Sequence, residues 1–179
     1  AGGFGIDIIT KPGGSDWRGR SMFGFRDESL NARNAFAPSL GAEQYRRFAF
    51  AADGPLVKGK TSIAVNVDGN NNYDSQTIVA AIPGGTDLRG QVRRPFESVN
   101  GGVRVDQAIG TRQTLSVDFS SQASTRSNLG VGDFDLPSRA YDREGRDTQL
   151  RTTLTGLVAP KVAHELKLQY LDSREQTSS

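Results

Sequence analysis

The chain has 179 residues, 35% of them hydrophobic and 21 of them Gly, with 22 Lys+Arg against 20 Asp+Glu for a formal net charge of +2. That near balance, without a basic stripe, argues against a dedicated nucleic-acid or membrane-surface binder. The absence of Cys rules out structural disulfides and thiolate metal sites, and no stretch approaches the ~20 apolar residues of a membrane-spanning helix.

The first residue is Ala1, with no initiator Met and no signal peptide, and strand-like sequence follows at residues 5–10 (GIDIIT). This pattern is expected of an internal segment whose targeting information lies upstream. Residues 17–26 alternate, with Trp17, Phe23 and Phe25 opposite Arg18, Arg20 and Arg26. Helical spacing is confined to residues 28–37 (ESLNARNAFA), a short run before Pro38 that reads as loop with one helical turn. Alternation returns at residues 47–52 (Phe48, Phe50) and at 61–68, where Ile63, Val65 and Val67 oppose Ser62, Ala64, Asn66 and Asp68. It continues at 99–106 (Val99, Val103, Val105). The clearest case is 114–120, with Leu115, Val117 and Phe119 against Ser116, Asp118 and Ser120. Residues 150–158 (Leu150, Leu154, Val158) and 166–170 (Leu166, Leu168, Tyr170 against Lys167, Gln169) complete about seven strands.

A soluble antiparallel sheet with one dry face alternates in the same way. Two features point instead to a transmembrane β-barrel. Residues 89–107 and 113–126 read as strands far longer than the five or six residues usual in globular proteins, and a tilted membrane strand needs ~9–11. The connections also alternate. Tight turns at 54–60, 108–111 and 159–161 separate long polar stretches at 27–44, 70–88 and 127–145. Short turns on one side and long loops on the other are the connectivity of outer-membrane barrels. About seven strands make an open arc rather than a closed, even-numbered barrel, so further strands are expected downstream. The fold expected is all-β, an antiparallel up-and-down meander of about seven long strands forming part of a transmembrane β-barrel.

The residues Gly2-Gly3-Phe4-Gly5-Ile6-Asp7-Ile8-Ile9-Thr10-Lys11-Pro12-Gly13 resemble the end of the plug domain of TonB-dependent outer-membrane receptors. Asp16-Trp17-Arg18-Gly19, Phe25-Arg26-Asp27 and Leu30-Asn31-Ala32-Arg33-Asn34 resemble the opening of the barrel in the Oar-like branch of that family. Gln44-Tyr45-Arg46-Arg47-Phe48, Asp53-Gly54-Pro55-Leu56 and Lys58-Gly59-Lys60-Thr61 continue the likeness. The resemblance implies residues 1–14 as the end of a plug and 15–179 as the first part of a barrel of ~22 strands in a bacterial outer membrane. It also implies a TonB complex as partner, acting through a plug region outside this segment. Outer-membrane lipid would surround the barrel, and an extracellular iron chelate, vitamin, glycan or peptide would be the substrate. The alternatives are an adhesion or secretion-associated barrel that binds through its long loops, and a soluble β-rich binding module.

No residue stands out as catalytic, cofactor-binding or metal-ligating, and substrate-binding residues are not assignable. Residues 68–74 (DGNNNYD) place oxygen donors at alternate positions but lack the glycine at loop position six and the terminal Glu of a calcium loop, so they read as a polar loop. His164 is the only histidine and has no triad context. The Gly2-Gly3-Phe4-Gly5 and Gly84-Gly85 clusters precede no helix and read as turns. Arg18, Arg20, Arg104, Arg151 and Lys167 fall on the inner face, where they guide an anionic substrate, pair with the plug or simply line a wet lumen. Trp17, Tyr45, Tyr73, Phe96 and Tyr170 are candidates for interfacial aromatic belts. An enzyme is not expected. Val117→Arg should destabilise the intact membrane-inserted protein by ~2–4 kcal/mol if Val117 meets lipid near the midplane; Asp118→Arg, facing water, should be tolerated in the same folding assay.

Overall fold

The computed structural model describes residues 15–30, 43–82, 85–132, 134–159 and 162–179. They form one antiparallel sheet of seven strands in chain order: β1 (Arg18–Asp27), β2 (Gln44–Val57), β3 (Thr61–Ile82), β4 (Thr86–Ile109), β5 (Gln113–Leu129), β6 (Tyr141–Ala159) and β7 (Val162–Ser178). Each alternating segment of the sequence nucleates one strand, and each strand pairs with the next. β1 and β7 do not meet, so the sheet is open. The expected plug end at residues 1–14 lies outside the described residues.

Two connections at one end are tight. The chain turns through 58–60, where Gly59 takes φ +70 and Lys60 N–H donates to the Val57 carbonyl at 3.0 Å. It turns again through 110–112, with Gly110 at φ +63. Residues 160–161 of the third expected turn lie outside the described set.

The other end differs from expectation. Residues 70–82 and 86–88, read as a polar loop, belong to β3 and β4, which are 22 and 24 residues long and joined through 83–85. Residues 141–145 likewise belong to β6. Polar residues on both faces erase the hydrophobic alternation without preventing a ladder, because a ribbon standing in water has no dry face to supply. Cross-strand pairs support it: Arg94 to Asp74 at 2.8 Å, and Arg93 lying 4.8 Å over the Tyr73 ring. The single turn expected after β1 is present as a 3-10 turn at Glu28–Leu30.

The sheet is a single layer. The buried hydrophobic residues among those described are Ile78 and Val131, with Val92, Leu136 and Ala140 packed around them. This small core forms because the β5–β6 connection folds back across the β3–β4 hairpin. Asn128 Nδ2 donates to the Arg93 carbonyl at 2.7 Å. At Gly132 (φ +132) a Cβ would sit 2.1 Å from Gln76 Cγ, so only glycine permits the crossing. Val131→Ala should remove about 1.5 kcal/mol of local packing, read as faster proteolysis within the β5–β6 connection at unchanged strand content.

Candidate functional site

Directly opposed residues of an antiparallel ladder share a face, so the register sorts every side chain. On one face a row runs Gly19, Ala52, Val65, Val103, Phe119, Leu150, Tyr170. The next row on the opposite face runs Arg18, Asp53, Ala64, Arg104, Asp118, Arg151, Gln169. We call these the apolar and polar faces. The apolar face is bare: Phe23 is 74% exposed and Leu168 65%. A layer so open is unusual for a protein surrounded by water.

The apolar band crosses the strands obliquely. Its limit away from the tight turns is Phe25 in β1, Phe48 in β2, Val67 in β3, Val99 in β4, Phe119 in β5, Leu150 in β6 and Tyr170 in β7, a descent that dips at β3 and is level across the last three strands. The row through Phe23 and Phe48 already ends on Arg146 and Arg174, and the row through Phe25 ends on Glu144 and Gln176. From Phe25 to Tyr170 the limit falls by three rows over six strand spacings. With ~3.4 Å per residue and ~4.8 Å between strands, that is a slant of about 35°.

Near the tight turns, Trp17 covers Gly54, where a Cβ would lie 2.3 Å from the indole. Trp17 and Tyr170 therefore sit on the apolar face at opposite limits of the band, as belt residues do. Tyr45 and Phe96 do not: they share a row of the polar face with Arg26, Asn72, Arg126 and Arg143. Tyr73 is on the apolar face, but two rows beyond Phe48 in the polar extension. His164 faces the same way, opposite Gly156 beside the turn, with Nδ1 enclosed and unpartnered among the described residues.

The polar face has three zones. Toward the tight turns, Arg18 pairs with Asp53 at 2.8 Å, and Arg104 Nε donates to both Asp106 oxygens at 3.0 and 3.1 Å. Asp106 also accepts from Ser116 Oγ and is 9% exposed, an enclosed carboxylate made tolerable by three hydrogen bonds. The middle zone carries amides and hydroxyls: Asn66, Asp68, Asn100, Ser120, Gln122 and Gln149, with Asn100 Nδ2 donating to Asp68 at 3.0 Å. In the outer zone Arg126 lies 4.7 Å over the Phe96 ring.

Arg18, Arg20, Arg104, Arg151 and Lys167, singled out from the sequence, all lie on the polar face. Residues 68–74 run straight within β3, with Asp68, Asn70, Asn72 and Asp74 on that face and Asn71 and Tyr73 on the other. They therefore do not wrap a common centre as a calcium loop would. Asp118 is directly opposite both Arg104 and Arg151. Asp118→Arg would set three cations side by side, so the better water-face substitution is Ser120→Arg, whose partners are Gly102 and Gln149.

Sequence reasoning missed the placement of Tyr45 and Phe96 on the polar face and the run of small residues Ala49, Ala51 and Ala64 there. Strand parity from Phe48 and Phe50 was the available signal for Tyr45. Comparison with protein-family models, with curated proteins and with solved structures returned no match.

Asp106→Ala should cost about 1–3 kcal/mol by leaving Arg104 without its enclosed partner, measured as a lower urea midpoint for folding into lipid vesicles.

Proposed function

We propose that the chain is a seven-strand sector of the wall of a bacterial outer-membrane β-barrel, with the apolar face toward lipid and the polar face toward an aqueous lumen. The observation that carries this is the slant of the apolar band. Barrel strands tilt by ~35–45° from the barrel axis, so a horizontal hydrocarbon layer marks them obliquely. A soluble sheet covered by a second layer has no reason to let its apolar limit drop by three rows from β1 to β7. The open edges support the same reading. Unpaired strand amides cannot face hydrocarbon, so further strands must complete the wall.

Within that class we infer a TonB-dependent receptor that takes up a bulky nutrient through a plugged lumen. This rests on the likeness of residues 1–13, 16–34 and 44–61 to that family. A polar inner face with self-paired charges suits a lumen that holds a plug. A second reading, an adhesion barrel, is favoured by the outer extension of the β3–β4 hairpin and by Phe134, which is 83% exposed at the tip of the pinned β5–β6 connection.

The lipid-facing assignment predicts that Val117→Arg lowers the stability of the inserted protein by ~2–4 kcal/mol while Ser120→Arg changes it by under ~0.5 kcal/mol. Equal effects of the two in a vesicle-folding titration would refute the orientation. Uptake that stops when TonB is deleted supports the receptor. Ligand binding at the cell surface that never leads to TonB-dependent entry supports adhesion.

A further inference from the structure

The polar face is not evenly furnished. Across β4–β7 its side chains are mostly amides, hydroxyls or charges, but β2 and the start of β3 present Ala49, Ala51 and Ala64. These alanines floor a hollow of about 880 Å³ between β1 and β3. Met22 of β1 flanks the floor opposite Ala49 and adds apolar surface.

The charges around this floor are unequal in their commitments. Arg18 is held by Asp53 at 2.8 Å, and Asp68 accepts from Asn100 at 3.0 Å. Arg20 and Arg47 also line the hollow and make no ion pair among the described residues. Arg20 is directly opposite Ala51, and Arg47 lies four residues along the same strand from Ala51, about 14 Å. Two uncommitted guanidiniums therefore border the apolar floor, Arg47 at its end beyond Ala49 and Arg20 at its side by Ala51, with the Asn100-bound Asp68 carboxylate opposite Ala49. Beside Arg47, Asn70 Oδ1 is enclosed without a partner.

We propose that this hollow is a binding trough for a ligand that joins an acidic group to an apolar body. The body rests on Ala49, Ala51 and Met22, and the carboxylate or phosphate takes the fork of Arg20 or Arg47. A guanidinium presents paired N–H donors that match either oxyanion, and short alanine side chains leave room where longer ones would fill it. The trough deepens the barrel reading, since it rests on the polar face being the water side.

This segment has no Cys; any Cys elsewhere in the intact protein is first replaced by Ser, so that single cysteines report cleanly against that background. Ala51→Cys and, as reference in the same cross-strand row of the same face, Ser120→Cys are introduced into the intact protein in outer-membrane vesicles. Each is labelled with an anionic sulfonatoethyl and a cationic trimethylammonioethyl methanethiosulfonate. The anionic-to-cationic rate ratio should be about tenfold higher at the Ala51→Cys site and should fall to the reference value with Arg20→Gln and Arg47→Gln together. Phenyl phosphate or benzoate should protect the Ala51→Cys site from labelling, and benzyl alcohol should not. Which of the two acids protects better separates phosphate from carboxylate as the ligand group.

Equal ratios at both sites, no protection by either acid, or protection that survives the double arginine replacement would overturn the trough. Inorganic phosphate protecting as well as phenyl phosphate would overturn the apolar-body half of the proposal. Failure of the barrel reading is seen separately: Val117→Cys would then label from water as fast as Ser120→Cys.

Discussion

The constraint on which this structure depends is that the backbone amides within the sheet pair with a neighbouring strand, which leaves unpaired rows only along its open edges. A helix satisfies its amides within itself; a strand must borrow a neighbour's. Here the strands are joined one after another without a crossover, and the ladders run for most of each strand's length. Long uninterrupted ladders are dispensable in water, where exposed amides are solvated. In hydrocarbon they are obligatory, since each unpaired group costs several kcal/mol. The proposed membrane setting thus explains why strands of 17 to 24 residues follow one another from β3 to β7.

Strict pairing has a second consequence. Once register is set, every side chain is committed to one face, and a slip of one residue would exchange the faces. Within the apolar band the strands keep most of their Val, Leu, Ile and Phe on one side and most of their Arg, Asp, Asn and Ser on the other. The charges of the polar face then settle among themselves: Arg18 with Asp53, and Arg104 with Asp106. Exposed pairs such as Arg18–Asp53 contribute little energy. Their effect is to leave Arg20 and Arg47 as the uncommitted cations beside the alanine floor.

The outer end follows another rule. Beyond the apolar band the β3–β4 ribbon carries polar residues on both faces and gains what packing it can locally. Ile78 and Val131 close a small core, and the β5–β6 connection is pinned across the hairpin. A surface connection held in this way presents Phe134 at a fixed place, whatever it meets there.

The sequence by itself determined a seed of each strand, at 17–26, 47–52, 61–68, 99–106, 114–120, 150–158 and 166–170, because period-two alternation is a local property that survives without knowledge of neighbours. It also determined which residues of a strand share a face, so Arg18, Arg20, Arg104, Arg151 and Lys167 were legible as one polar set. It did not determine where β3 and β4 end. Residues such as Asn70, Asn71 and Asn72 are polar on both faces, and a strand without a dry side has no alternation to read. Nor could it align one strand with another. The slanted boundary from Phe25 to Tyr170, the placement of Tyr45 and Phe96 on the polar face, the crowding of Asp118 between two arginines and the alanine trough all depend on register. Register is set by pairing across the sheet, between residues as far apart in the chain as Ala64 and Arg104, and only the tertiary structure brings them side by side.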